Sequence, residues 1–211
     1  MILPIGQYAG ATDDGAHEVR RGGVTERLNA LSFAAWGLGH GPIDPVLAAG
    51  VVWTRKELVR YAGLAGLLEP AELVAGLVKR ELLVEAPTTG PKALGFARRH
   101  RAVPLAVGLG NIPEAPTQYA IGHFDQTLVR VDELRYEVWC WSTVYDTLWQ
   151  VCQARSGEAP GDEAPGDEVP GDAAATPAAA GREPAEILAH FLAAVHQLVS
   201  ANALYLDVVA A

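Results

Sequence analysis

The chain has 211 residues, half of them apolar, and a formal net charge of −9, which is length enough for one sizeable core or two small ones and acidity enough to exclude a general attraction to nucleic acid. No apolar run approaches the roughly 20 residues of a membrane-spanning helix, and MILPIGQYAG lacks the basic start and apolar core of a secretion signal. We therefore expect a cytoplasmic protein without membrane contact, whose two cysteines, Cys140 and Cys152, are free thiols in a reducing compartment.

Residues 1–16 combine a short apolar start with the turn-rich GATDDGA, enough for a brief strand. In HEVRRGGVTERL the Gly22-Gly23 pair supplies the positive φ values of a tight turn, which predicts a hairpin of His17–Arg21 with Val24–Leu28. Asn29 is an N-cap for a helix with Leu31, Ala34, Ala35 and Leu38 on one stripe beside Phe33 and Trp36, and GHGP at 39–42 stops it. Residues 43–53 read as an apolar loop. Thr54 and Glu57 then form a capping box, opening a helix that buries Leu58, Tyr61 and Ala62 and is broken by Gly63 and Gly66. Glu69-Pro70 starts the next helix, with Leu73, Val74, Leu77 and Val78 as its apolar stripe and Lys79 and Arg80 at its end. Leu82–Glu85 reads as a strand, 87–91 as a turn and Ala93–Phe96 as a return strand, the pair forming a wing.

Residues 98–122, with the basic run Arg98, Arg99, His100, Arg101 followed by VPLAVGLGNIPEAP, read as a connector. Thr127–Val131 alternates as a half-buried strand does, and a Trp-rich helix follows over about 134–154. Within 157–183 the pentapeptide EAPGD occurs twice and EVPGD once. Such an acidic Pro/Gly repeat buries too little apolar area to offset chain entropy, so disorder is expected. A last helix begins near Pro184, its apolar face formed by Ile187, Leu188, Phe191, Leu192, Val195, Leu198 and Val199, and Ala203–Val209 reads as a strand or a last helical turn.

Two internal echoes suggest a duplication. LSFAAW (31–36) lies on LRYEVW (134–139) at an offset of 103, and EPAELVAGLVKRELLV (69–84) is echoed by EPAEILAHFLAAVHQLV (183–199) at 114, the larger offset fitting an acidic insertion in the second copy. The expected fold is α+β: two winged-helix-like units in tandem, each a helix-turn-helix plus a small antiparallel sheet, over 1–97 and 123–211, with 98–122 between them. RLNALSFAAWGLGHG (27–41), TRKELV (54–59) and PAELVAGLVKRELLVE (70–85), roughly a third of the chain, together resemble the PqqD family, the small winged-helix domains called RiPP recognition elements. That resemblance implies binding of a precursor-peptide leader, added as a strand to the N-terminal sheet against the third helix. The long 41–53 loop and the wing depart from the family pattern, the wing being a feature of winged-helix transcription regulators.

The favoured function is therefore non-catalytic recognition of a peptide or protein partner. Its candidate residues are Val24, Glu26 and Leu28 on the first edge strand, Leu73, Leu77 and Arg80 on the third helix, and Leu128 and Arg130 on the second copy's strand. The alternative is a DNA-binding regulator using Arg55, Lys56, Arg60, Lys79, Lys92, Arg98, Arg99 and Arg101, because residues 54–101 hold nine basic and five acidic side chains. Against DNA, the would-be recognition helix starts Glu-Pro-Ala-Glu and offers no Arg, Asn or Gln at its groove-entering end. A small enzyme or accessory subunit is a third reading, with little to carry it. Cys140 between Trp139 and Trp141 reads as an inert buried thiol, His190 and His196 fall about 240° apart on a helix, and GLGN at 108–111 lacks the lysine of a phosphate loop. No catalytic residue, metal or cofactor is expected, and a dimer is compatible with the sequence. The acidic insertion reads as a solvating tether or as a decoy over the basic surface of the first copy.

Overall fold

The fold is described from a computed structural model of the chain, over residues 1–41, 52–158 and 178–209. The first half runs β1 (Ile2–Pro4), β2 (Gln7–Ala11), β3 (His17–Arg21), β4 (Val24–Leu28), α1 (Ala30–Leu38), α2 (Arg55–Leu64), α3 (Pro70–Lys79) and β5 (Leu83–Glu85). After α4 (Pro91–Ala97) the order recurs: β6 (His100–Pro104), β7 (Val107–Ile112), β8 (Ala115–His123), β9 (Gln126–Asp132), α5 (Glu133–Trp141), α6 (Leu148–Ser156), α7 (Pro184–Leu192), α8 (Val195–Ser200) and β10 (Leu204–Val208). In each half the last strand returns to pair antiparallel with the first, β5 with β1 and β10 with β6, while the middle three strands form a separate meander, β2-β3-β4 or β7-β8-β9. The protein is thus α+β, with several small antiparallel sheets.

Local chemistry repeats with the topology. Asn29 caps α1 by accepting from the Ser32 N–H at 2.8 Å, and Asp132 caps α5 by accepting from Arg135 at 3.0 Å. Thr54 caps α2 through the Glu57 N–H, and Thr147 caps α6 through the Gln150 N–H, with the Gln150 side chain returning to the Thr147 N–H. The β2–β3 and β7–β8 pairings each carry a register shift, ending at Gly10 (φ +130°) and Gly110 (φ +85°), values that glycine adopts without Cβ strain. Trp36 and Trp139 are both buried and donate their indole N–H to backbone carbonyls, Ile5 at 3.2 Å and Ala203 at 3.0 Å.

Two hydrophobic cores follow the two halves. One gathers Val19, Leu28, Trp36, Trp53, Leu58, Val74 and Leu77; the other gathers residues of β6, β8, β9 and β10 with the helices of the second half. β1 and β5 lie between them. Ile2 and Leu83 face the first core, Leu3, Ile5 and Val84 the second, so the period-two alternation of a strand serves two cores and explains why ILPI is apolar throughout.

Several sequence expectations change. The wing does not form: Ala93–Phe96 lies in α4, where Pro91 sits in the first turn and Ala93, Phe96 and Ala97 make a buried helical stripe. This helix packs into the second core, and β5 pairs with β1. The 98–122 connector carries β6, β7 and most of β8. The single helix over 134–154 is two. Hydroxyl bonds from Ser142 to the Val138 carbonyl (2.6 Å) and from Thr143 to the Cys140 carbonyl (2.9 Å) satisfy the end of α5 before Thr147 opens α6. The QLV of 197–199 is helical in α8, and the strand matching Leu82–Val84 is β10, where Leu105 N–H bonds Ala203 as Ile5 N–H bonds Leu82. Most of the 43–53 loop and of the acidic repeat lies outside the described residues.

Candidate functional site

The first half leaves an edge strand and a groove side by side. β3 is the middle strand of its meander, so β4 is an edge. In an antiparallel pair alternate residues bond the neighbour and the others point outward. The Arg27 carbonyl accepts from the Arg80 guanidinium at 2.9 Å, so Arg27, and Thr25 two residues before it, direct their backbone groups away from β3. Arg80 also grips the Glu26 carboxylate at 2.6 and 3.2 Å, anchoring the end of α3 to the strand.

Beyond this anchor, α1 packs across α3 and leaves a groove of about 600 Å³. Leu73, Leu77 and Arg80 line it from α3, together with Glu69, Glu72 and Gly76; Leu31 and Ser32 line it from α1, and Leu68 from the turn before α3. Leu31 (45% exposed) and Leu68 (74%) are large apolar side chains facing water here.

Of the residues expected to meet a partner, Glu26, Leu73, Leu77 and Arg80 converge. Val24 is exposed at the far end of the strand, and Leu28 is a core residue, 1% exposed, that supports the site from beneath. Leu31, Ser32, Leu68, Glu69, Glu72 and Gly76 also line the groove and are not among the residues the sequence singles out for partner binding. Leu31 reads in sequence as part of the buried stripe, and only Leu68, an exposed leucine just before a helix start, hints at the groove.

In the second half the equivalent space is closed. Arg135 bonds Asp132 at 2.8 Å and the His190 carbonyl at 3.2 Å, and the His190 ring bonds Asp132 at 2.8 Å, pinning α7 to the start of α5. Gln197 donates to the Arg130 carbonyl at 3.3 Å, covering part of the β9 edge. Leu128 and Arg130 are therefore on an edge strand, and neither lines a cavity formed by the described residues as Leu73, Leu77 and Arg80 do.

The basic set is dispersed. Arg55 pairs with Glu85, Arg60 with Glu57 and Arg101 with Asp207, while Arg98 lies over the Trp149 ring and Arg99 bonds the Gly95 carbonyl. Lys56, Lys79 and Lys92 stand on three different helices. The outer face of α3 carries Glu69, Glu72, Gly76 and Lys79. Burial pushes the Cys140 and Cys152 thiols up, against a Tyr136 hydrogen bond in the first case, which weakens either as a nucleophile. Among the described residues no group of three or more His, Cys, Asp or Glu is placed to hold a metal ion, and no helix is long and apolar enough to cross a membrane. Compared with protein-family models, curated proteins and solved structures, the chain matches none of them.

Proposed function

We propose that this protein is a non-catalytic recognition module that binds an extended segment of a peptide or protein partner. The segment adds to β4 as a further strand and seats its side chains in the α1–α3 groove. On this reading α2 and α3 are the helix-turn-helix of a winged-helix-like unit, the recurring element order is a second such unit, and the likeness to RiPP recognition elements makes a precursor-peptide leader the favoured ligand. The supporting observation is that an open apolar groove adjoins an edge strand whose outward carbonyl at Arg27 is held by Arg80, a residue of the groove itself. Strand addition supplies affinity through main-chain bonds, and the groove supplies specificity through alternate side chains.

The experiment is fluorescence polarisation of the full-length protein with labelled overlapping peptides from the products of adjacent genes. One peptide should bind, its affinity should fall by about tenfold or more in Leu73→Glu, equivalent to about 1.4 kcal/mol, and amide exchange at Thr25 and Arg27 should slow on binding. Binding that is indifferent to Leu73→Glu, with exchange at β4 unchanged, refutes docking at this site.

A further inference from the structure

We infer that the groove selects an extended segment in which a basic residue stands two positions from a large apolar one, the apolar side chain over Gly76 and the basic one against Glu69 and Glu72. This rests on docking at β4 and α3 as proposed above, and adds the chemistry of the ligand.

Charge sets the basic position. Three charged residues of α3 and its cap line the groove: Glu69, Glu72 and Arg80. Arg80 is matched by Glu26 at 2.6 Å, whereas among the described residues neither Glu69 nor Glu72, both exposed, takes part in an ion pair. The groove therefore presents two unmatched carboxylates at one end, in a protein whose net charge is already −9. A basic segment is steered to it, and an acidic one repelled.

Gly76 sets the apolar position. Glycine is unfavourable inside a helix, and nothing in this chain asks for it here: its φ is not positive, and an added Cβ would meet no atom within 4 Å. Its missing side chain leaves the helix backbone open on the exposed face of α3, within the groove that Leu31, Leu73 and Leu77 also line, and a ligand side chain can reach that backbone.

Spacing links the two. Glu72 and Gly76 are four residues apart, about 6 Å along the helix axis. In an extended strand, residues i and i+2 point the same way and lie about 6.6 Å apart. A segment that runs along α3 with one residue over Gly76 thus places its next same-face residue at Glu72, with Glu69 just beyond.

The test is display selection of random dodecapeptides against the full-length protein, the Glu69→Lys/Glu72→Lys variant and Gly76→Phe. Gly76→Ala and circular dichroism verify that the substitutions leave the fold intact. The wild type should enrich Lys or Arg two positions from Leu, Ile, Phe or Trp, and the charge-reversed variant should enrich Asp or Glu in the same place. A labelled peptide from the wild-type pool should bind Gly76→Phe about tenfold or more weakly. Peptides that lose binding in Gly76→Phe but show no basic preference, or the same preference in the charge-reversed variant, overturn the inference and leave groove docking standing. Failure to enrich any peptide sensitive to Gly76→Phe overturns both.

Discussion

Asp207 is the carboxylate that ties the two halves together, and its removal offers a direct measure of how strongly they are coupled. It is 2% exposed. One oxygen accepts from the Gly22 N–H at 2.6 Å and the Val208 N–H at 3.0 Å, and the other from Arg101 at 3.3 Å. Gly22 is the first residue of the β3–β4 turn, at φ +55°, where an added Cβ would stand 2.9 Å from the Val208 side chain, so the turn presses directly on β10. Asp207→Ala leaves two part-buried N–H groups without their acceptor. The Gly22 bond to the charged carboxylate contributes about 1.5–3 kcal/mol, the local Val208 contact little beside it, and the Arg101 pair, 44% exposed on the arginine side, adds less than about 1 kcal/mol. We expect a loss of about 2–4 kcal/mol, or about 4–16 °C in Tm for a chain of this size. Asp207→Asn keeps an acceptor for Gly22 while losing the charge, and should cost about half as much. Urea unfolding followed by tryptophan fluorescence reads both, and amide exchange at Gly22 localises the effect. An unfolding free energy for Asp207→Ala that matches the wild type, or an Asn variant as damaged as the Ala variant, would refute the reasoning.

Three further outcomes can be checked independently. Thr147→Ala removes the hydroxyl that accepts from the Gln150 N–H, one arm of the α6 capping box, and leaves the Gln150 side chain accepting from the backbone N–H of residue 147; it should destabilise the protein by about 1 kcal/mol, lowering Tm by about 2–4 °C, and an unchanged Tm argues against the cap. Burial pushes the His196 imidazole down to about 4, while the ring bonds the Ile2 carbonyl at 2.6 Å. The unfolded chain, titrating near 6.5, therefore binds the proton more readily, so this stability is complete above about pH 6.5, is lost as pH falls towards 4, and totals about 3 kcal/mol. His196→Gln should flatten the stability–pH curve in that window, and superimposable curves would exclude the effect. Cys152, fully buried with its thiol pushed up by desolvation, should react with a thiol reagent only as fast as the protein unfolds, after the half-buried Cys140; mass spectrometry of the natively labelled protein showing Cys152 modified first would contradict this.

Where one short stretch holds all the atoms that matter, the sequence determined the outcome. Gly22-Gly23 sets the His17–Arg21 and Val24–Leu28 hairpin to the residue, Asn29 and Thr54 start their helices, and Leu31–Trp36 and Leu134–Trp139 lie on corresponding helices, because turns and caps are made by neighbouring residues. Pairing partners were settled only by the tertiary structure. Nothing local in Leu83–Glu85 points to β1, since an apolar strand's backbone groups suit any edge and only two cores, one on each face, select that place for it. The strands within 98–122 stayed hidden because the shift at Gly108–Gly110 interrupts their alternation, and α4 because seven residues behind a proline look like a turn. The groove is the clearest case: Glu69, Glu72 and Gly76 look like an ordinary helix start, and Leu31 like core. They line a groove only because α1 crosses α3, and the angle at which two helices pack depends on side chains far apart in the chain.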